Sequence, residues 1–232
     1  MSTASRRTTK TLPLERPLLE NGDRMTQAEF HRRYETYPDD VKIELIEGVV
    51  YMASPLRRAH GKYHLELATL FRLYQEKTFG VEALDNVTTI LGEESEPQPD
   101  LALRIVAAYG RSRETADDYI QGPPELIAEV AHSTRSIDMH QKRRDYERAG
   151  VLEYSVLCIE EPAIHWFQFQ TGTELHADRR GVFHSSAFPG LWIDGEGVLA
   201  LDHTRAARVL RKGLASPEHG AFVRRLHRRG HA

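Results

Sequence analysis

A chain of 232 residues with 40% hydrophobic and 28% charged residues can build one packed domain and is too apolar for wholesale disorder. Its 31 basic and 34 acidic residues leave a formal net charge of -3, which excludes a protein that holds nucleic acid by bulk positive charge; any such contact must come from local patches. The single cysteine, Cys158, excludes an internal disulfide framework and suits a reducing cytoplasm, and no apolar run approaches the ~20 residues of a membrane span.

Residues 1–24 are rich in Ser, Thr, Arg and Pro and read as a flexible extension, without the apolar stretch of a secretory signal. Thr26, with Glu29 three residues on, opens a short helix whose inner face carries Phe30 and Tyr34. Ile43 to Met52 reads as a hairpin turning at Glu47-Gly48. From His60 to Lys77 the apolar residues Tyr63, Leu67, Leu70, Phe71 and Tyr74 mark one helix face, closed by Gly80. Three strands are expected next, over 86–91, 99–106 and 125–131, with a polar loop from Gly110 to Gly122. The last of the three is apolar on both faces, as a buried strand would be. Ser133 to Ser136 precedes a helix over 137–149, stopped by Gly150. Strands over 153–159 and 163–169 and an apolar segment over 191–201 complete the domain. From His203 the chain is basic, with eight Lys and Arg residues (Arg205 to Arg229) against Glu218; it reads as a partly helical, solvated tail or a contact for DNA phosphates or a partner.

Asp100 and Glu129 carry the chemistry. Two carboxylates on neighbouring buried strands repel each other unless a cation lies between them. Oxygen donors without a cysteine favour magnesium, or manganese, over zinc. A lysine such as Lys142 can orient a water or neutralise a transferring phosphoryl group. Each residue also has a plainer reading. Asp100 could be a turn residue, Lys142 an ordinary helix partner of Asp138 one turn away, and Glu44 a hairpin residue facing water. Glu47 reads as a turn residue. His132, close to Glu129, is a loop histidine or a general base. His60 and His64, one helical turn apart, could pair on a metal, but no third ligand lies near them in sequence. His60 more simply caps its helix, and Arg57, Arg58 and His60 together could hold nucleic-acid phosphates. Cys158, Trp166 and Trp192 read as packing residues.

The ordered series Glu44-Leu-Ile-Glu-Gly-Val-Val-Tyr-Met-Ala-Ser-Pro55, Pro99-Asp100, Pro124-Glu-Leu-Ile-Ala-Glu-Val130, Ser133-Thr134, Asp138, Lys142, Tyr146 and Ala149-Gly-Val-Leu-Glu-Tyr154 resembles the Uma-two family of restriction endonucleases, within the PD-(D/E)XK nuclease superfamily. The resemblance covers roughly residues 25–202. It implies an α/β fold of the restriction-endonuclease-like kind, a central mixed sheet flanked by helices. It further implies metal-binding Asp100 and Glu129, a catalytic Lys142, an additional acid at Glu44, a magnesium cofactor and DNA as substrate, and cutting both strands suits a homodimer. Two positions depart from the pattern: His132 stands where the family has proline, and Ser155 where an aromatic is common. In the simplest superfamily motif the lysine lies two residues after the second acid; here that position is Ala131, so Lys142 must reach in from the following helix. The reading is therefore a metal-dependent DNA endonuclease. Its competitors are an inactive nuclease scaffold that binds nucleic acid or a protein, and a hydrolase of another phosphoester.

Overall fold

The computed structural model describes residues 18–229 apart from 39, 107 and 133, so the expectations for Ser133 and for residues 1–17 and 230–232 lie outside the described residues. In chain order the elements are α1 (Gln27–Tyr34), β1 (Ile43–Ile46), β2 (Val49–Met52), α2 (Arg58–Glu76), β3 (Val81–Asp85), β4 (Thr89–Ile90), β5 (Leu101–Ile105), β6 (Arg113–Glu114), β7 (Ile120–Gln121) and β8 (Leu126–Ala131). A π-helical turn (Ile137–Lys142) then runs into α3 (Arg143–Ala149). After it come β9 (Glu153–Cys158), β10 (Ala163–Gln168), β11 (Thr173–Glu174), β12 (Val182–His184), β13 (Trp192–Asp194), α4 (Gly195–Leu199), α5 (His203–Leu214) and α6 (Pro217–Arg229).

The centre is a six-stranded mixed sheet in the order β11-β10-β9-β8-β5-β3. Only β8 and β9 pair in parallel among these, joined through the π turn and α3; the other neighbours are antiparallel. Alternation along β8 splits the core in two. Leu126, Ala128 and Val130 pack with Leu70, Phe71 and Tyr74 of α2, whereas Ile127 and Ala131 pack with Tyr146 of α3 and with Tyr154 and Val156 of β9. Glu129 shares the face of Ile127 and Ala131, so it points toward the π turn. A smaller cluster of Leu19, Phe30, Ile43, Leu45 and Val50 holds α1 against the β1–β2 hairpin.

The hairpin turns through Glu47 (φ 51) and Gly48 (φ 73), the paired left-handed conformation of a two-residue turn. Thr26 caps α1 as the sequence suggests, its side chain accepting from the Glu29 backbone N–H. Three expectations change within residues 18–201. Residues 18–24, expected to be loose, pair with the hairpin: the Gly22 N–H donates to the Val50 carbonyl and Leu19 is buried. The expected strand over 86–91 is only the two residues of β4, and the full edge strand is β3, directly after Gly80. The apolar segment 191–201 splits into β13 and the short α4, where Asp194 accepts from the Gly197 N–H and starts the helix.

The basic stretch from 203 is no solvated tail. Ala206, Ala207 and Leu210 of α5 and Phe222 and Leu226 of α6 are buried in the main core. Gly213 lets α5 approach β13 closely: a Cβ there would meet the Gly190 carbonyl oxygen at 2.3 Å and the Trp192 side chain at 2.7 Å. The charges stay outside because apolar residues recur at helical spacing on one face only. Leu210→Ala is therefore expected to cost about 2–5 kcal/mol in urea unfolding. A loss under about 0.5 kcal/mol, typical of a surface position, would show that α5 is peripheral. No helix among the described residues is long and apolar enough to cross a membrane.

Candidate active site

Asp100 and Glu129 meet because of strand register. Leu101 pairs with Ala128 in the antiparallel β5–β8 ladder, so one step further Asp100 stands beside Glu129 at the end of both strands. The Asp100 N–H donates to Glu129 Oε2 at 3.3 Å, and the Val130 N–H donates to Asp100 Oδ2 at 2.8 Å. Glu44 comes from β1. Leu45 and Glu96 exchange backbone hydrogen bonds, and the Gln98 N–H donates to Glu44 Oε1 at 2.8 Å, so the segment leading into β5 ties the hairpin to the site.

Lys142 enters from the opposite side, at the end of the π turn. Its ammonium donates to Glu129 Oε1 at 2.9 Å and Glu44 Oε1 at 3.0 Å, and lies 3.9 Å from Asp138 Oδ1. The tighter partners thus come from other elements, and the helix pair with Asp138 is the loosest contact of the three. Four-residue spacing places Asp138, Lys142 and Tyr146 on one face across the π turn and α3, and π turns recur at functional sites. Tyr146 donates to Glu129 Oε1 at 2.9 Å, Thr134 donates to Asp138 Oδ2 at 2.6 Å, and Tyr154 donates to the Asp138 carbonyl at 3.0 Å.

Four buried carboxylates (Glu44, Asp100, Glu129 and Asp138) therefore lie together, three of them around the Lys142 ammonium and Asp100 held by His60 instead. Burial pushes the Glu129 carboxyl up to about 8; the other three carboxylates add to the rise and Lys142 opposes it. Burial also raises Asp138, with Lys142 and Thr134 pulling the other way. Burial would raise Asp100 too, but His60, Lys42 and the Val130 N–H outweigh it and hold that carboxyl well below its ordinary range. Lys142 is kept firmly protonated: burial disfavours its charge, yet Glu129, Glu44 and Asp138 more than offset this. Among the described residues, neither Asp100 Oδ1 nor Glu44 Oε2 takes part in a protein hydrogen bond. Excess buried negative charge with uncommitted hard oxygens is a donor set that fits a divalent cation.

The other residues singled out by sequence fall in different places. His60 does not cap α2, whose N-cap is Arg57 without a side-chain cap bond; its Nε2 lies 3.1 Å from Asp100 Oδ2. Arg57 and Arg58 are exposed just ahead of it. His132 is turned toward Glu160, 3.8 Å away, and makes no ion pair with the four carboxylates. Glu47 is the turn residue expected, and is also bound by Arg144 and Arg148. Cys158 and Trp166 are buried in the core, while Trp192 is partly exposed beside α5. Sequence reasoning did not place Asp138, Tyr146 or His64 in the site. The repeated spacing of four in Asp138, Lys142 and Tyr146 was the available signal for the first two.

A mixed sheet flanked by helices, with acidic side chains gathered at one strand end, defines a restriction-endonuclease-like α/β fold. The chain is similar in fold to the crystal structure of "a putative nuclease belonging to DUF820 from Anabaena variabilis", with a TM-score of 0.58 and 13% identity over 73% of this chain and 96% of that one. The Uma2 family model, described as "Putative restriction endonuclease", matches residues 28–200, and the chain belongs to that family. No curated protein matches the chain.

Proposed function

We propose that the chain is a metal-dependent endonuclease that hydrolyses phosphodiester bonds in DNA, with magnesium, or manganese in its place, held by Asp100 and Glu129. The observation that carries this reading is the cluster of four buried carboxylates, three of which surround the ammonium of Lys142. A divalent cation bound there supplies charge stabilisation at the phosphate and a more acidic water.

The protein's own groups then divide the work. Lys142 stays protonated, so it acts as a donor to the water or to a phosphate oxygen and not as the base. Glu44, bound only through Oε1 among the described residues, keeps its second oxygen for a proton or a ligand. Tyr146 fixes the Glu129 carboxylate from behind. A chain of net charge -3 needs local basic patches to hold DNA. Arg57 and Arg58 supply one at the start of α2; Arg180, Arg208 and Lys212 supply another around a cleft of about 280 Å³ beside Trp192. Cutting both strands would engage two copies.

The direct test is incubation with supercoiled plasmid and magnesium or manganese, with chelator as control. Metal-dependent nicking or linearisation is the expected result. Intact plasmid across both ions and a range of salt would favour a binding module on an inactive nuclease scaffold.

A pH dependence follows from Glu129. Its folded pKa is raised, so in the cation-free protein its contribution to stability falls as pH rises from the ordinary carboxylate range toward about 8. A cation must displace that proton. Affinity is expected to rise about tenfold per pH unit up to about pH 8 and then level off. Calorimetric titration from about pH 6 to pH 9 checks this, and a flat profile would mean that Lys142 already holds Glu129 ionised.

A further inference from the structure

We propose that His60, His64 and Asp100 form a second cation site, one that takes a first-row transition-metal dication. The two histidines lie one turn apart on α2, with ring centroids 5.7 Å apart. Asp100 arrives from the start of β5, and one donor atom from each of the three lies within 4.8 Å of the others. His60 Nε2 and Asp100 Oδ2 are 3.1 Å apart. Two ligands held at ~2.1 Å from one ion and roughly at right angles are separated by about 3 Å, so this pair needs little movement to share an ion. His64 is partly buried beside them.

A lone His–Asp hydrogen bond would satisfy Asp100 without a second imidazole, yet His64 stands beside the first. Its Nε2 lies 2.8 Å from Asp85 Oδ1. Asp85 pairs with Leu101 across the β3–β5 ladder, which sets that carboxylate next to the end of β5. A carboxylate holding one ring nitrogen while the other binds a metal is the usual outer-shell partner of a histidine ligand. Imidazole donors favour iron, nickel, copper or zinc, for which cobalt is a stand-in, whereas the oxygen-only pocket of Asp100 and Glu129 favours magnesium or manganese. Asp100 would then belong to both sites. The inference concerns ion binding alone and stands whether or not the chain cleaves DNA.

The test is titration of cobalt(II) into the chelator-stripped full chain, followed by its visible absorption, for the parent, His64→Ala and Glu129→Gln. The expected result is saturable absorption in the parent and in Glu129→Gln, with affinity lowered at least about tenfold in His64→Ala, since even outer-shell losses cost 10–100-fold. Far-ultraviolet circular dichroism establishes that each variant is folded. Equal binding by the parent and His64→Ala would overturn the inference, as would absence of saturable absorption in the parent. Loss in Glu129→Gln alone would place the ion between the two carboxylates. That result overturns the histidine site and leaves the proposed nuclease reading standing.

Discussion

Glu129→Gln is expected to lower metal-dependent cleavage by about 10³-fold or more while leaving a folded protein. The carboxylate is buried among the other acids of the site, and burial already drives it toward neutrality. An amide keeps an oxygen for Lys142 and Tyr146, the partners of Oε1, so the shape survives. It brings no charge to a cation. Losing several kcal/mol of Lewis-acid stabilisation at ~1.4 kcal/mol per tenfold gives the stated effect. Removing one of four crowded carboxylates also relieves repulsion, which offsets the counter-charge withdrawn from Lys142. Asp100→Asn should behave similarly, because its side-chain oxygen can still accept from the Val130 N–H. Single-turnover cleavage, run beside thermal unfolding, is the measurement. Either variant cutting as fast as the parent would remove these residues from the metal site.

Lys142→Ala should separate catalysis from ion binding. Its ammonium is buried among Glu129, Glu44 and Asp138, so deleting it leaves uncompensated charge in the interior. Breaking a buried pair in this way costs about 3–5 kcal/mol. The lower end is expected here, because Glu129 can take up a proton in response. Magnesium should restore part of that loss, since a cation can replace the missing positive charge among the same carboxylates. The rate should fall about 10²–10³-fold, the usual consequence of removing one donor to a developing negative charge. Unfolding with chelator and with saturating magnesium, together with single-turnover rates, reads all three quantities. Parallel loss of stability and metal affinity, with no recovery on adding magnesium, would make Lys142 a structural residue.

Much of this was legible along the chain, for local reasons. The hairpin announced itself through alternating apolar residues around Glu47-Gly48, and the buried strand of Glu129 through an unbroken apolar run. The ordered series from Glu44 to Tyr154 pointed to the family that the Uma2 match shows. The edge strand β3 was missed: its five residues carry charges at Glu82 and Asp85, so no clean apolar alternation set it apart. The C-terminal helices were misjudged because arginines dominate the composition of 203–229, while the residues that decide packing are few, chiefly Ala206, Leu210, Phe222 and Leu226.

By itself, then, the sequence determined which groups could do chemistry and the α/β class that would hold them, because residue type and short-range period are local properties. Only the tertiary structure decided which groups meet. Asp100 faces Glu129 through the β5–β8 register, Glu44 arrives through contacts of the hairpin with residues 96–98, and Lys142 is delivered by a π turn. His60 and His64 come near Asp100 only because β5, which starts 37 residues after His64, lies alongside their helix. Distances between such groups depend on register and packing, and those are fixed by the whole core at once.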